Sequence, residues 1–196
     1  MTTPLEDAVT AALRGELVVF PTDTVYGIGT RPDDPAATAR VFQAKRRPRG
    51  LELPLLVPSV EAAQLVAILD GRAKRLADAC WPGEVTLVLP RAPRSRDWDL
   101  GGDPETVGVR VPRHGLALAL LSATGPLAAS SANRSGGSTP DNCEGLFEAF
   151  GDLVAVYLCQ EERLAGAPST VLDLSHGEAR VLREGTIGLD EVRELL

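Results

Sequence analysis

Residues 16–29, ELVVFPTDTVYGIG, run from an apolar stretch directly into a turn of hydroxyls and glycine. Glu16–Phe20 reads as a buried strand, and Pro21, which has no backbone N–H, breaks it. The following PTDTVYGIG, at 21–29, mixes Thr22, Asp23, Thr24 and Tyr26 with two glycines. A strand end that opens into small residues is where α/β proteins place ligands. The stretch is neither a P-loop nor a Rossmann fingerprint, because it lacks GxxxxGK[ST] and GxGxxG. On the pattern alone, a structural turn is the first reading and a ligand loop the second.

Upstream, Thr3, Pro4 and Glu6 spell a capping box with proline at the first helical position. Leu5, Ala8, Val9, Ala12 and Leu13 follow helical spacing, and Gly15 is placed to end that helix. Downstream, a second helix starts at Asp34-Pro35 and runs toward Lys45, ending before Pro48. A strand near Leu53–Val57, helices after Ser59 and Asp70, and a strand at Thr86–Leu89 come next. Residues 91–105 read as a polar loop. Then follow a strand at Val107–Val111, a helix at Leu116–Ala123 and a short strand at Pro126–Ala129. A helix around Glu144–Phe150, strands near 153–158, 170–174 and 179–183, and a short terminal helix complete the chain. Helices and strands interleave with no long linker, repeat or low-complexity tract. The expectation is one α/β domain over 1–196, with a mixed sheet because several late strands lack an intervening helix.

The chain's bulk chemistry narrows the function. A net charge of −7 and 4% aromatics disfavour a surface that grips a polyanion or stacks single-stranded RNA. The longest apolar runs, such as Leu17–Phe20 and Val85–Leu89, are far too short to span a membrane. MTTPLEDAV has no basic segment followed by an apolar one, so a cytoplasmic protein without a secretory signal is expected. Cys80, Cys143 and Cys159 are widely spaced and form no CxxC, so small buried apolar side chains are expected rather than disulfides or a zinc knuckle. His114 and His176 lie in no metal or triad motif and read as loop or helix-end residues.

Cations nevertheless cluster at Lys45, Arg46, Arg47 and Arg49, and again at Arg91, Arg94 and Arg96. Each cluster reads either as a solvated face or as a local anion site. Lys45 and Arg47 leave the end of a helix, where they complement its dipole; two apart, they could also converge on one side of a cleft. Ser130-Ser131-Ala132-Asn133, followed by RSGGSTP, supplies short hydroxyls, an amide and mobile N–H groups that suit phosphate oxygens. A loop that caps its own turns fits the same residues, and on spacing alone is the first reading.

Taken together and in order, the segments are more specific. FPTDTVYGIG, the KxRP at 45–48, PGEVTLVLP at 82–90, VGVRVP at 107–112, PLAASSANRSG at 126–136, STVLDL at 169–174 and VLREG at 181–185 resemble the YrdC family of threonylcarbamoyl-adenylate synthases. The resemblance covers roughly residues 5–187. It implies an open, twisted mixed sheet flanked by helices with a concave, positively charged cleft, in the short single-domain form. It also implies a nucleotidyltransferase reaction. L-threonine, bicarbonate and ATP would give threonylcarbamoyl-AMP and pyrophosphate, the former serving threonylcarbamoyladenosine formation in tRNA.

By position, the family's catalytic tetrad falls on Lys45, Arg47, Ser131 and Asn133. Its ATP contacts fall on Arg47, Thr106, Ser131, Thr139 and Arg183, and its L-threonine contacts on Thr24, Arg110, Ser169 and the backbone at Ala129. Magnesium is expected to arrive with ATP, with no metal site of the protein's own. The chain departs from the common KxRPxxNPLxxH pattern, with two extra residues, Leu53 in place of Asn and Pro58 in place of His. Two rival readings are a tRNA or double-stranded RNA-binding module of the same fold, and a related enzyme using another carbamoyl- or acyl-adenylate substrate.

Overall fold

The computed structural model describes residues 3–161, 164 and 166–188. In chain order the helices are α1 (Pro4–Leu13), α2 (Pro35–Lys45), α3 (Val60–Val66), α4 (Gly71–Cys80), α5 (Gly115–Thr124) and α6 (Cys143–Phe150). The strands are β1 (Val18–Phe20), β2 (Gly27–Thr30), β3 (Leu55–Leu56), β4 (Val85–Pro90), β5 (Thr106–Arg110), β6 (Leu127–Ser131), β7 (Val156–Tyr157), β8 (Thr170–Asp173) and β9 (Arg180–Arg183). Local chemistry starts most helices where the sequence places them. Thr3 and Glu6 close the capping box of α1, and the Asp34, Ser59 and Asp70 side chains cap α2, α3 and α4.

All the described strands join one sheet in the order β7-β1-β2-β6-β3-β5-β4-β8-β9. The β1–β7, β3–β5 and β4–β8 pairs are parallel and the others antiparallel, so the sheet is mixed and open. Strand alternation separates its two faces. On one face Val107, Val109, Leu87 and Leu89 join the large core with α2, α3 and α4. On the other, Val18, Phe20, Leu127 and Ala129 pack against α1 and α5. These two helices cover only part of that face. Where they stop, the alternate residues Gly108, Arg110, Thr86 and Val88 line a cleft.

Four features differ from the sequence reading. Gly27–Thr30, read as turn, is a full strand between β1 and β6. Its glycines lower strand propensity, yet Gly29 is needed: a Cβ there would lie 2.9 Å from the Ala128 carbonyl oxygen and 2.9 Å from the Ala129 Cβ. The 91–105 loop folds back on itself around Arg91, which is buried and donates to the carbonyls of Thr106, Ser95 and Trp98 at 2.7, 3.1 and 2.7 Å. Arg94 and Arg96 are exposed, so that cluster is no anion site facing the cleft.

The third difference is a correction. Cys143 and Cys159 form a disulfide, because the start of α6 and the chain leaving β7 meet with their Cα atoms 5.7 Å apart. Sequence separation hid that proximity; Cys80 is buried, as expected. Last, β6 extends through Ser130 and Ser131, so these serines are held by the β2 ladder rather than by a loop. The terminal helix read from the sequence lies outside the described residues.

Candidate active site

The cleft encloses about 280 Å³ over the open part of the sheet. The turn after β1 serves both as turn and as site. Thr22 shapes it, its hydroxyl donating to the Val25 carbonyl at 2.6 Å. Asp23 and Thr24 hold Arg110, which leaves the end of β5 and is 5% exposed. The Arg110 guanidinium donates to the Gly83 carbonyl at 2.8 Å, to Thr24 Oγ1 at 2.9 Å and to Asp23 Oδ1, forming a buried ion pair. Three of its five donors are thereby fixed, and its orientation with them. Burial lowers its pKa while Asp23 opposes the shift.

On the far side of Arg110, Ser169 precedes β8 and shares a 2.9 Å hydrogen bond with Thr86 of β4. Arg183 of β9 lies beside Val171 and donates to the Ser169 carbonyl at 2.8 Å and to its hydroxyl at 3.0 Å. Arg47 reaches the cleft from the end of α2, anchored on the Leu51 and Glu52 carbonyls at 3.2 and 2.8 Å. Burial and the nearby Arg183 both lower the Arg47 pKa, and Arg183 also acts on Arg110. Arg183 therefore repels both of the others, and of these three arginines only Arg110 has a carboxylate in an ion pair among the described residues.

Lys45 and Arg47 flank Arg46, which closes α2 in the left-handed conformation with φ of 51°. Arg47 lines the cleft, and Lys45 lies near enough for Arg47 to act on its charge. Lys45 is 1% exposed and turns its ammonium onto the Ser131 and Asn133 carbonyls, the latter at 2.7 Å. Burial first, then Arg47, pushes its pKa down to about 8. Asn133 is the hub of the next loop: its Oδ1 accepts from Ser131 at 2.5 Å and Thr139 at 3.3 Å, while its amide donates to the Arg134 and Gly137 carbonyls at 2.8 and 2.6 Å.

Of the residues read from the sequence, Arg47, Arg110, Ala129, Ser131, Ser169 and Arg183 line the cleft. Thr24 sits directly behind Arg110. Lys45, Asn133 and Thr139 brace the loop that follows Ser131, and Thr106 begins β5 off the cleft lining. Leu53 belongs to the core, and Pro58 is off the lining. Sequence reasoning passed over Glu52, the one carboxylate on the described lining, and named Asp23 within the turn without its pairing to Arg110. Glu52 stands beside the departure at Leu53, but no spacing rule singles out a lone acid there.

Comparison with known proteins gives this geometry a family. A Sua5/YciO/YrdC family model, described as telomere recombination, matches residues 10–185. A Mycobacterium tuberculosis relative is 43% identical over 190 residues, spanning 96% of this chain and 87% of its own. The threonylcarbamoyl-AMP synthase of Chromohalobacter salexigens is 37% identical over 179 residues, spanning 89% of this chain and 94% of its own. Among solved structures, Pyrococcus abyssi Sua5 complexed with L-threonine superposes with a TM-score of 0.89 at 34% identity, covering 98% of this chain and 57% of that one. Motifs, sheet order and these likenesses agree along nearly the whole length, and the chain belongs to the Sua5/YciO/YrdC family.

Proposed function

We propose that this chain is a threonylcarbamoyl-AMP synthase, a nucleotidyltransferase that joins L-threonine, bicarbonate-derived CO₂ and the AMP moiety of ATP. The observation that carries the reading is the convergence of Arg47, Arg110 and Arg183 on one cleft with a single paired carboxylate. Guanidiniums held together against their own repulsion suit anionic ligands. They divide into two ends. Arg110, fixed by Asp23 and Thr24 and flanked by Ser169 and the Ala129 backbone, suits an amino-acid carboxylate. Arg47, Arg183 and Ser131 suit a triphosphate, with Thr106 and Thr139 at its margins.

In the proposed reaction bicarbonate releases hydroxide as CO₂ forms, the neutral threonine amine bonds to the CO₂ carbon, and the hydroxide takes the surplus N–H proton as water, leaving a carbamate. A carbamate oxygen then attacks the α-phosphorus, and pyrophosphate leaves with the electron pair of the broken P–O bond. The protein's work is placement and charge stabilisation. Lys45 and Asn133 act one step back, holding the Ser131 strand end and its loop in shape. Among the described residues no group of three or more His, Cys, Asp or Glu is arranged to hold a metal. Magnesium is assigned to the ATP, as part of the substrate. The product would be handed to tRNA modification in the cytoplasm; among the described residues, no helix is long and apolar enough to cross a membrane.

The test is pyrophosphate release that depends on both threonine and bicarbonate. Arg47→Ala removes a charged donor from the phosphate end and is expected to slow it about a hundredfold. Asn133→Ala, which unties the loop, is expected to slow it too. Unchanged rates in both would refute the site assignment.

A further inference from the structure

Glu52 is the acid the mechanism leaves unused. It stands on the cleft wall next to Arg47, which donates to its backbone carbonyl at 2.8 Å. Its Oε1 accepts the Gly108 N–H at 2.8 Å, taking the place of a ladder partner before β3 begins at Leu55. Gly102 packs so closely behind it that a Cβ there would lie 2.7 Å from the Glu52 Cβ. The side chain is therefore fixed, not a solvated rim charge. Beyond it the wall is apolar, with Pro54, Leu56 and Val88 on the lining. Pro54 adjoins Gly108, and Gly108 lies across from Val88 in the β4–β5 register.

A carboxylate repels phosphates, so the ligand group it meets is not one of them. An apolar strip with one hydrogen-bonding group at its edge fits a nucleobase. We propose that Glu52 reads the nucleobase, its carboxyl group pairing with the adenine edge where an exocyclic amine adjoins a ring nitrogen. This rests on the assignment of ATP to the cleft. The amine donates to one carboxyl oxygen, and the ring nitrogen accepts from the other when that oxygen carries a proton. The protonation fits the surroundings. Burial raises the Glu52 pKa to about 7 with help from Asp103, against the pull of the Gly108 N–H, Arg91 and Arg47. A glutamine would present the same donor–acceptor pair at every pH.

The experiment measures binding of ATP, ITP and inorganic tripolyphosphate to wild type, Glu52→Gln and Glu52→Leu by calorimetry between about pH 6 and pH 8. ITP replaces the amine with a carbonyl and puts a hydrogen on the adjacent ring nitrogen. Wild type is expected to prefer ATP about tenfold near pH 6, with the preference shrinking toward pH 8. Glu52→Gln should keep the preference across the range. It also retains an acceptor for Gly108, so a fold defect does not confuse it. Glu52→Leu should bring ATP and ITP within about twofold while tripolyphosphate binding is unchanged. ATP and ITP binding wild type equally, or Glu52→Leu keeping the preference, overturns this inference alone. Failure of ATP to bind wild type at all overturns the proposed function and the inference with it.

Discussion

Glu52 and Lys45 show at the scale of single residues how burial sets charge. Desolvation disfavours the ionised form of each, so the acid moves up to about 7 and the amine down to about 8. For Glu52 the sign follows from linkage. Between pH 4.5 and about 7 the folded carboxyl keeps its proton while the unfolded one has lost it. Its contribution is full below the unfolded pKa and disappears as pH rises through the folded one. Relative to Glu52→Gln, wild type should lose roughly 3 kcal/mol of stability between pH 4 and pH 8. Parallel pH profiles of urea unfolding would contradict that.

The same residues mark what the sequence could and could not tell. Arg47, Arg110, Ser131 and Arg183 were readable from motif resemblance, and they do share one cleft. The partners of Lys45 were not readable, because the Ser131 and Asn133 carbonyls it meets come from far along the chain.

At the scale of elements, β2 is the clearest case of tertiary context overriding propensity. GIGT is a poor strand by composition, but it fits between β1 and β6 because Gly29 lets the Ala128–Ala129 backbone come close. Gly29→Val must push β2 away from β6 and is expected to cost about 1–3 kcal/mol, seen as a lower melting temperature; an unaltered melt would argue against the contact. The link between Cys143 and Cys159 is an element-scale feature that spacing alone could not reveal, since β7 and α6 come together only in the fold. It closes a segment of sequence separation 16, and on loop entropy its reduction should remove about 3 kcal/mol. Such bonds persist in oxidising surroundings, so the comparison is between oxidised and reduced purified protein. Peptide mapping without reductant should recover the two cysteines joined. Recovery as separate thiols would show that the bond does not form.

At the scale of the whole molecule, one mixed sheet does two jobs through the alternation of its strands. Odd-numbered Val107 and Val109 of β5 build the large core, while the alternate residues Gly108 and Arg110 face the cleft. Helices α1 and α5 cover one end of that second face and leave the other end open. The interleaving of helices and strands made the α/β class legible in advance. The strand order was not, because β6 returns from far along the chain to lie between β2 and β3. That return brings Ser131 and Ala129 onto the same cleft as Arg47 and Arg110, and so assembles the proposed substrate site.

The most direct test of the whole account is pyrophosphate release by the purified wild-type protein, with L-threonine, L-serine and carbamoyl phosphate compared side by side. Release is expected only when ATP, L-threonine and bicarbonate are all present, with threonylcarbamoyl-AMP as the accompanying product. Release without threonine, equal release with serine or carbamoyl phosphate, or none under any combination would contradict it.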